Sequence, residues 1–311
     1  AYLEGAQAAV SIVEDAAGVS RLHIDNRQQE GSSHTLLADG RQALLPLLLH
    51  PAPHRALFLG LGTGITASTA AGEAGLEVDA VELLPEVITA SAHFTGRDGQ
   101  APNPRLHLLQ ADARRHVRTT TTRYDLVVAD NFHPARSGSA ALYTVEHFRA
   151  VRERLAPGGL FCQWLPLHQL DLDSLRAVVA AFLAANPQAW ALLATNSLDT
   201  PVLGLVARAG DQPVDVHALR RRLASVLLPR PPADFGLPDD LAVLGSVVAG
   251  PQALAALAAG TPPNTDDLPI VAWHAPRATY APDSSPRQRL MAVLAAFRAR
   301  PPQPADLVAG L

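Results

Sequence analysis

The stretch "RALFLGLGTGITAS", Arg55–Ser68, joins a short apolar run to glycines at every second position and then to a helix-compatible tail. An apolar run bounded by glycine reads as a buried strand. At Gly60, Gly62 and Gly64 the missing side chains permit a tight turn and let the backbone approach a ligand closely. Strand, glycine loop and helix in this order predict the opening of a doubly wound α/β unit.

Outward from this stretch the same alternation continues. "VDAVE", "LHLLQ", "DLVVAD" and "GLFCQWL" read as further strands, and "AWALLAT" and "VLGLVAR" extend the sheet. Helices are expected near Ile65–Ala74, Pro85–His93, Thr144–Leu155 and Leu172–Ala185. The predicted fold class is α/β, a Rossmann-like, doubly wound and mainly parallel sheet. Upstream, "AAVSIVE" and "RLHIDN" alternate around a glycine turn, predicting a small N-terminal β unit over 1–50. A nucleoside-binding catalytic domain is expected over 51–210 and a Pro-punctuated helical extension over 211–311, folded back on the sheet. Within the extension, Leu241–Gly260 reads as a packed helix pair and "RRRL", Arg220–Leu223, as a solvated helix face.

Composition narrows the function classes. The chain has 311 residues, a net charge of -4 and 25 basic residues, all of them arginine. Such a balance lacks the basic footprint of a nucleic-acid binder. The single cysteine, Cys162, excludes an internal disulfide and a cysteine-based zinc cluster, and its apolar setting reads as core. His116 and His168 show no paired ligand spacing, so no metal is expected. No apolar stretch is long enough for a membrane span, and no signal peptide opens the chain. Because the chain opens on Ala1 rather than methionine, a longer protein with flanking membrane segments is an expectation, with this part on the cytoplasmic side.

In a doubly wound sheet, ligands bind beyond the carboxyl ends of the strands. The first strand ends in the glycine loop and the second in Glu82, where an acid that grips a ribose diol is expected. The third ends at Asp112 and the fourth at Asp130, followed by the Gly/Ser-rich loop "NFHPARSGSA". Taken singly, a glycine loop is also a turn and a terminal Asp is also a helix cap. Together, in order, they point to a nucleoside site. A dinucleotide fingerprint would place glycine at 65, where Ile65 stands, and no G-x-x-x-x-G-K-[ST] loop is present. Adenosine without a pyrophosphate fits this spacing better.

At the level of motifs, "HPAPHRALFLGLGTG", "VDAVELLPEVI", "LLQADARRHV", "YDLVVADNFHP" and "LYTVEHFRAVRERLAPGGLFCQWL" resemble the successive motifs of spermidine synthases, the polyamine aminopropyltransferases. With "EGAQAAVSIVED" and "NTDDLPIVAWHAPR", the chain looks closest to the spermidine-synthase-like domains of membrane-fused proteins. The resemblance implies a fold like that of class I AdoMet methyltransferases, with AdoMet or decarboxylated AdoMet as co-substrate and a small-molecule amine as acceptor. It further implies a homodimer. By position it assigns Gln29, Gly60, Gly62, Thr63, Gly64, Glu82, Leu83, Asp112 and Ala113 to the donor. Asp130 matches the acid that deprotonates the amine, with His133 beside it, and Gln163 matches a glutamine of the polyamine channel.

The chain also departs from that pattern. Thr63 stands where spermidine synthases carry an Asp, and His133 replaces a second acid. The Tyr-Gln-Glu motif expected near Ala38–Gly40 and a Tyr-containing turn expected near 196–200 are missing. Unpaired ammonium groups are costly to desolvate, so fewer acids make a dicationic amine a poorer acceptor. The expected chemistry is alkyl transfer from a sulfonium to an amine. The alternatives are an AdoMet-dependent methyltransferase, an AdoMet-cleaving enzyme and a catalytically weak AdoMet-sensing domain. "NTDDLP", Asn264–Pro269, reads as a cap or Asx-turn cluster, and Trp164 and Trp190 as core.

Overall fold

The computed structural model describes residues 1–26, 28–96, 103–194, 197–210, 213–302 and 308–309. Thr195 of "AWALLAT" and the first residue of the expected 196–200 turn lie outside them.

The chain opens with β1 (Tyr2–Glu4), β2 (Ala9–Glu14), β3 (Ser20–Ile24) and β4 (Gln28–Ser32), paired antiparallel in that order. Helix α1 (Leu36–Leu49) follows, within the region expected to be only β. Gly40 and Pro46 argue locally against a helix there. Packing overrides them, because residues 42–49 are all buried and a Cβ on Gly40 would meet the Phe235 ring. A helix apolar on most sides belongs in a core.

The central unit runs β5 (Arg55–Leu59), α2 (Ile65–Ala71), β6 (Glu77–Glu82), α3 (Pro85–Thr95), β7 (Leu106–Gln110), α4 (Ala113–Thr119), β8 (Tyr124–Ala129), α5 (Val145–Glu153), β9 (Leu155–Pro166) and α6 (Leu172–Ala185). Local signals set the helix starts. Pro85 occupies the first turn of α3, and the side chains of Asp112, Thr144 and Asp171 cap α4, α5 and α6. Then come β10 (Trp190–Leu193), β11 (Val202–Arg208), β12 (Val214–Asp215), α7 (Val216–Ser225), α8 (Asp240–Leu244), β13 (Val247–Ala249), α9 (Pro251–Ala258), α10 (Ile270–Tyr280), α11 (Pro286–Arg298) and β14 (Val308–Ala309).

One sheet has the order β13-β10-β11-β9-β8-β5-β6-β7. The strands from β9 to β7 are parallel, and β11, β10 and β13 add antiparallel at one edge. Strand order reverses between the parallel neighbours β5 and β8, from which the chain builds outward to opposite edges. Their carboxyl ends therefore flank the crevice where such sheets bind ligands. Apolar residues bury on both faces of the sheet, with Trp164 and Cys162 fully enclosed.

Two expectations for the C-terminal part are corrected. The stretch Leu241–Gly260 is not a helix pair, because Val247–Ala249 forms a strand against β10 between α8 and α9. "RRRL" is not wholly a solvated face. Arg222 is buried against Glu73, turning one guanidinium of α7 inward. No helix among the described residues is long and apolar enough to cross a membrane.

Candidate active site

The crevice between β5 and β8 opens into a cavity of about 440 Å³. Gly60, Gly62 and Gly64 all have positive φ, at 86°, 52° and 76°, a region that glycine enters without strain. Space demands glycine as well. A Cβ on Gly60 would sit 3.0 Å from the Phe132 ring and 3.3 Å from Asp130 Cβ, so the loop lies directly against the end of β8.

Glu82, at the end of β6, is buried and points under this loop. Its Oε2 accepts from Leu61 N at 3.1 Å and its Oε1 from Leu84 N at 2.9 Å. These two bonds hold the carboxylate in place, and each oxygen keeps acceptor capacity for a ligand hydroxyl. Leu83, Asp112 and Ala113 line the same wall. Asp112 is also the cap expected of it, accepting from Arg115 N at 2.7 Å.

Asp130 lies opposite. Its Oδ1 accepts from Asn131 N at 2.8 Å, while Oδ2 faces the glycine loop, 3.9 Å from where a Cβ on Gly62 would stand. Burial pushes its carboxyl up to about 6; the Asn131 N–H opposes this and the Glu82 charge adds to it. The loop behind it is fastened to α1 by Asn131 Nδ2 donating to Gln42 Oε1 at 2.9 Å. His133 is buried, lines the cavity and leaves Nδ1 without a partner. Burial, reinforced by Arg136, lowers its pKa, so it is neutral at pH 7. Thr63 is buried beside Gly31, whose Cβ would lie 2.8 Å from Thr63 Cγ2.

Three expected residues do not line the cavity. Gly64 turns the loop into α2 and packs against Ser91 and Thr95 of α3. Gln29 is exposed, because the β3–β4 register slips there: Leu22 pairs with Gly31 and His23 with Gln29, leaving Glu30 as the extra residue. A bulge re-aims a side chain, and Glu30 takes the inward place. Gln163 lies beneath the cavity floor, fully buried, with Nε2 donating to Trp164 O at 3.0 Å and to Asp130 O at 3.4 Å.

Four charged lining residues escaped the sequence reading: Glu30, Asp39, Arg114 and Arg136. Burial pushes the Glu30 carboxyl up to about 7, with Arg136 opposing. Asp39 on α1 is likewise pushed to about 7, although Thr35 Oγ1 donates to it at 2.7 Å. "NTDDLP" acts as a tether. Asn264 is fully buried and donates to Tyr143 O at 2.9 Å and Ala140 O at 3.4 Å, while Asp266 pairs with Arg114 at the cavity wall.

Residues 43–188 match the model of the spermine/spermidine synthase domain. The matched stretch carries the glycine loop, Glu82, Asp112 and Asp130. Polyamine aminopropyltransferase 2 of Hyperthermus butylicus is 34% identical over 117 residues, 36% of this chain and 38% of the relative. The polyamine aminopropyltransferase of Aeropyrum pernix is 26% identical over 157 residues, 49% of this chain and 50% of the relative. The matched stretches thus span half the length of these family members or less. In fold, the spermidine synthase of Thermotoga maritima aligns over 79% of this chain and 87% of its own, with a TM-score of 0.62 and 17% identity. A spermidine synthase in complex with the transition-state analogue AdoDATO aligns over 79% and 86%, with a TM-score of 0.60.

Proposed function

We propose that the chain is a transferase of the aminopropyltransferase type. An acceptor amine attacks the carbon beside the sulfonium sulfur of an adenosyl donor, AdoMet or its decarboxylated form, and methylthioadenosine leaves. The observation that carries this reading is the placement of Asp130 Oδ2 over the glycine loop, across the crevice from Glu82. Glu82 would hold the ribose diol with its remaining lone pairs, and Asp112 and Ala113 would flank the adenine. Asp130 would take the amine proton as the new N–C bond forms, the C–S bond breaks and its electron pair returns to sulfur. A carboxyl held near 6 is ionised at pH 7 yet close enough to the working pH to exchange a proton.

Glu30 and Asp39 bear on the cationic groups that donor and acceptor bring. The acids absent at 63 and 133 suggested a poor amine site, but these two carboxyls bring negative potential to the same cavity from the N-terminal sheet and α1. Binding a cation would draw both into their charged forms. A cationic amine therefore suits the site.

Mass spectrometry of reactions containing either donor and a panel of amines tests the reading. Methylthioadenosine together with an alkylated amine is the expected outcome. S-adenosylhomocysteine would mean methyl transfer instead, and methylthioadenosine alone would mean donor cleavage. A homodimer and a cytoplasmic location belong to the same reading, to be checked by sedimentation equilibrium and by cell fractionation.

A further inference from the structure

Two arginines line the cavity, and they differ in what they hold. Arg114 donates Nη1 to Ala141 O at 2.9 Å and pairs with Asp266. Arg136 has no side-chain hydrogen bond or ion pair among the described residues. Its backbone N–H donates to His133 O at 3.0 Å, closing the turn that carries the guanidinium. The charge of Arg136 reaches Glu30, whose Oε1 is buried without a partner. Glu30 in turn adjoins the glycine loop: its carbonyl oxygen lies 3.3 Å from a Cβ placed on Gly62, and the next residue, Gly31, packs on Thr63. An uncommitted guanidinium, an uncommitted carboxyl and a neutral Thr63 thus line one cavity, with Glu30 also facing the charges of Glu82 and Asp130.

We propose that Arg136 and Glu30 together grip an amino-acid head group, guanidinium on its carboxylate and carboxylate on its ammonium, so that the donor is AdoMet with its carboxylate in place. This rests on the donor reading above and specifies it. A decarboxylated donor would bring only an ammonium to a wall that already holds a cation, leaving Arg136 desolvated and unpaired. A carboxylate offers the two oxygens that match the guanidinium fork. Thr63 fits the same donor. It places no charge against the carboxylate, and it leaves the ammonium to Glu30. The group that travels is then 3-amino-3-carboxypropyl: the acceptor nitrogen bonds to its terminal carbon, the C–S bond breaks, methylthioadenosine carries the electron pair away and Asp130 receives the nitrogen's proton.

Titration calorimetry with methylthioadenosine, AdoMet and decarboxylated AdoMet tests this on the wild type, Arg136→Gln and Arg136→Lys. The wild type should bind AdoMet at least as tightly as the decarboxylated form. Arg136→Gln should weaken AdoMet by about tenfold to a hundredfold, the scale of a charge-assisted pair, while decarboxylated AdoMet and methylthioadenosine stay within about twofold. Arg136→Lys should fall between wild type and Arg136→Gln for AdoMet. A wild type that prefers the decarboxylated donor by about tenfold or more, or an Arg136→Gln variant that weakens both sulfoniums alike, overturns the head-group assignment while methylthioadenosine binding stands. A wild type that does not bind methylthioadenosine overturns the nucleoside reading itself, and this inference with it.

Discussion

At the residue scale the site turns on buried carboxyls that hold their protons unusually long. Asp130 must be ionised to accept a proton, and burial sets its pKa near 6. Turnover should therefore fall about tenfold per pH unit below that value, since only the deprotonated fraction works. Asp130→Asn should keep methylthioadenosine binding but lower turnover by roughly a hundredfold or more, with the limb near pH 6 gone. An active variant with the limb intact would assign the base elsewhere. Asp39 makes a separate prediction about stability. Its folded pKa, about 7, lies above the unfolded value of about 4. The folded state thus binds the extra proton between those values, so this group's contribution is greatest below about pH 4 and is lost as pH rises through about 7. Asp39→Asn, which keeps an acceptor for Thr35, should raise the melting temperature at pH 8 and leave it nearly unchanged at pH 4. A lower melting temperature at pH 8 would contradict burial as the cause of the shift.

At the element scale, legibility followed local period. The strands from β5 to β9 and the helices between them announce themselves because apolar runs, glycine turns and capping residues agree with one another. Helix α1 did not, because its Gly40 and Pro46 are breakers whose cost is overcome only by packing against Phe235 and the sheet. Glu30 was missed by one position. The resemblance assigned the ligand-facing place to Gln29, and the bulge that gives it to Glu30 is a matter of pairing, which one sequence does not display. Arg136 stood in plain view in "NFHPARSGSA", but nothing in the local pattern says which way a loop side chain turns. Asn264 shows how an element far along the chain supports the site. Besides donating to Ala140 O and Tyr143 O, it accepts from Val271 N at 3.2 Å, tying the segment after the Asp130 loop to the start of α10. Asn264→Ala would leave these buried groups unpaired and should cost about 2–4 kcal/mol, read as a lower denaturant midpoint. A loss within about 0.5 kcal/mol would mean that the segment is held by its apolar packing alone.

At the scale of the whole molecule, the C-terminal part is joined to the rest of the chain through arginines, of which Arg289 and Arg222 are buried. Arg289 on α11 donates to Leu167 O and His168 O at 2.9 Å each, behind β9. Arg41 on α1 donates to Gly236 O at 2.7 Å and to Ser246 Oγ at 2.8 Å. These ties include a buried ion pair, Arg222 on α7 with Glu73, just beyond the helix that follows the glycine loop; the two side chains are 7% and 9% exposed. The chain after α7 seals the same place, with Leu227 O accepting from Ala74 N at 3.2 Å and Pro229 lying against Gly72. Desolvating two charges costs nearly what their attraction returns, so the pair should matter less for its own energy than for what happens when one partner is removed. Arg222→Ala should destabilise by about 3–5 kcal/mol, because it strands the Glu73 carboxylate in a closed space. The double variant Glu73→Gln with Arg222→Met keeps the volume and removes both charges, so it should recover most of that loss. Because Glu73 stands two residues beyond α2, the single variant should also weaken methylthioadenosine binding more than the double. Equal destabilisation in the single and double variants would mean that the joint depends on the ion pair itself, and would overturn this account of how the C-terminal part is held.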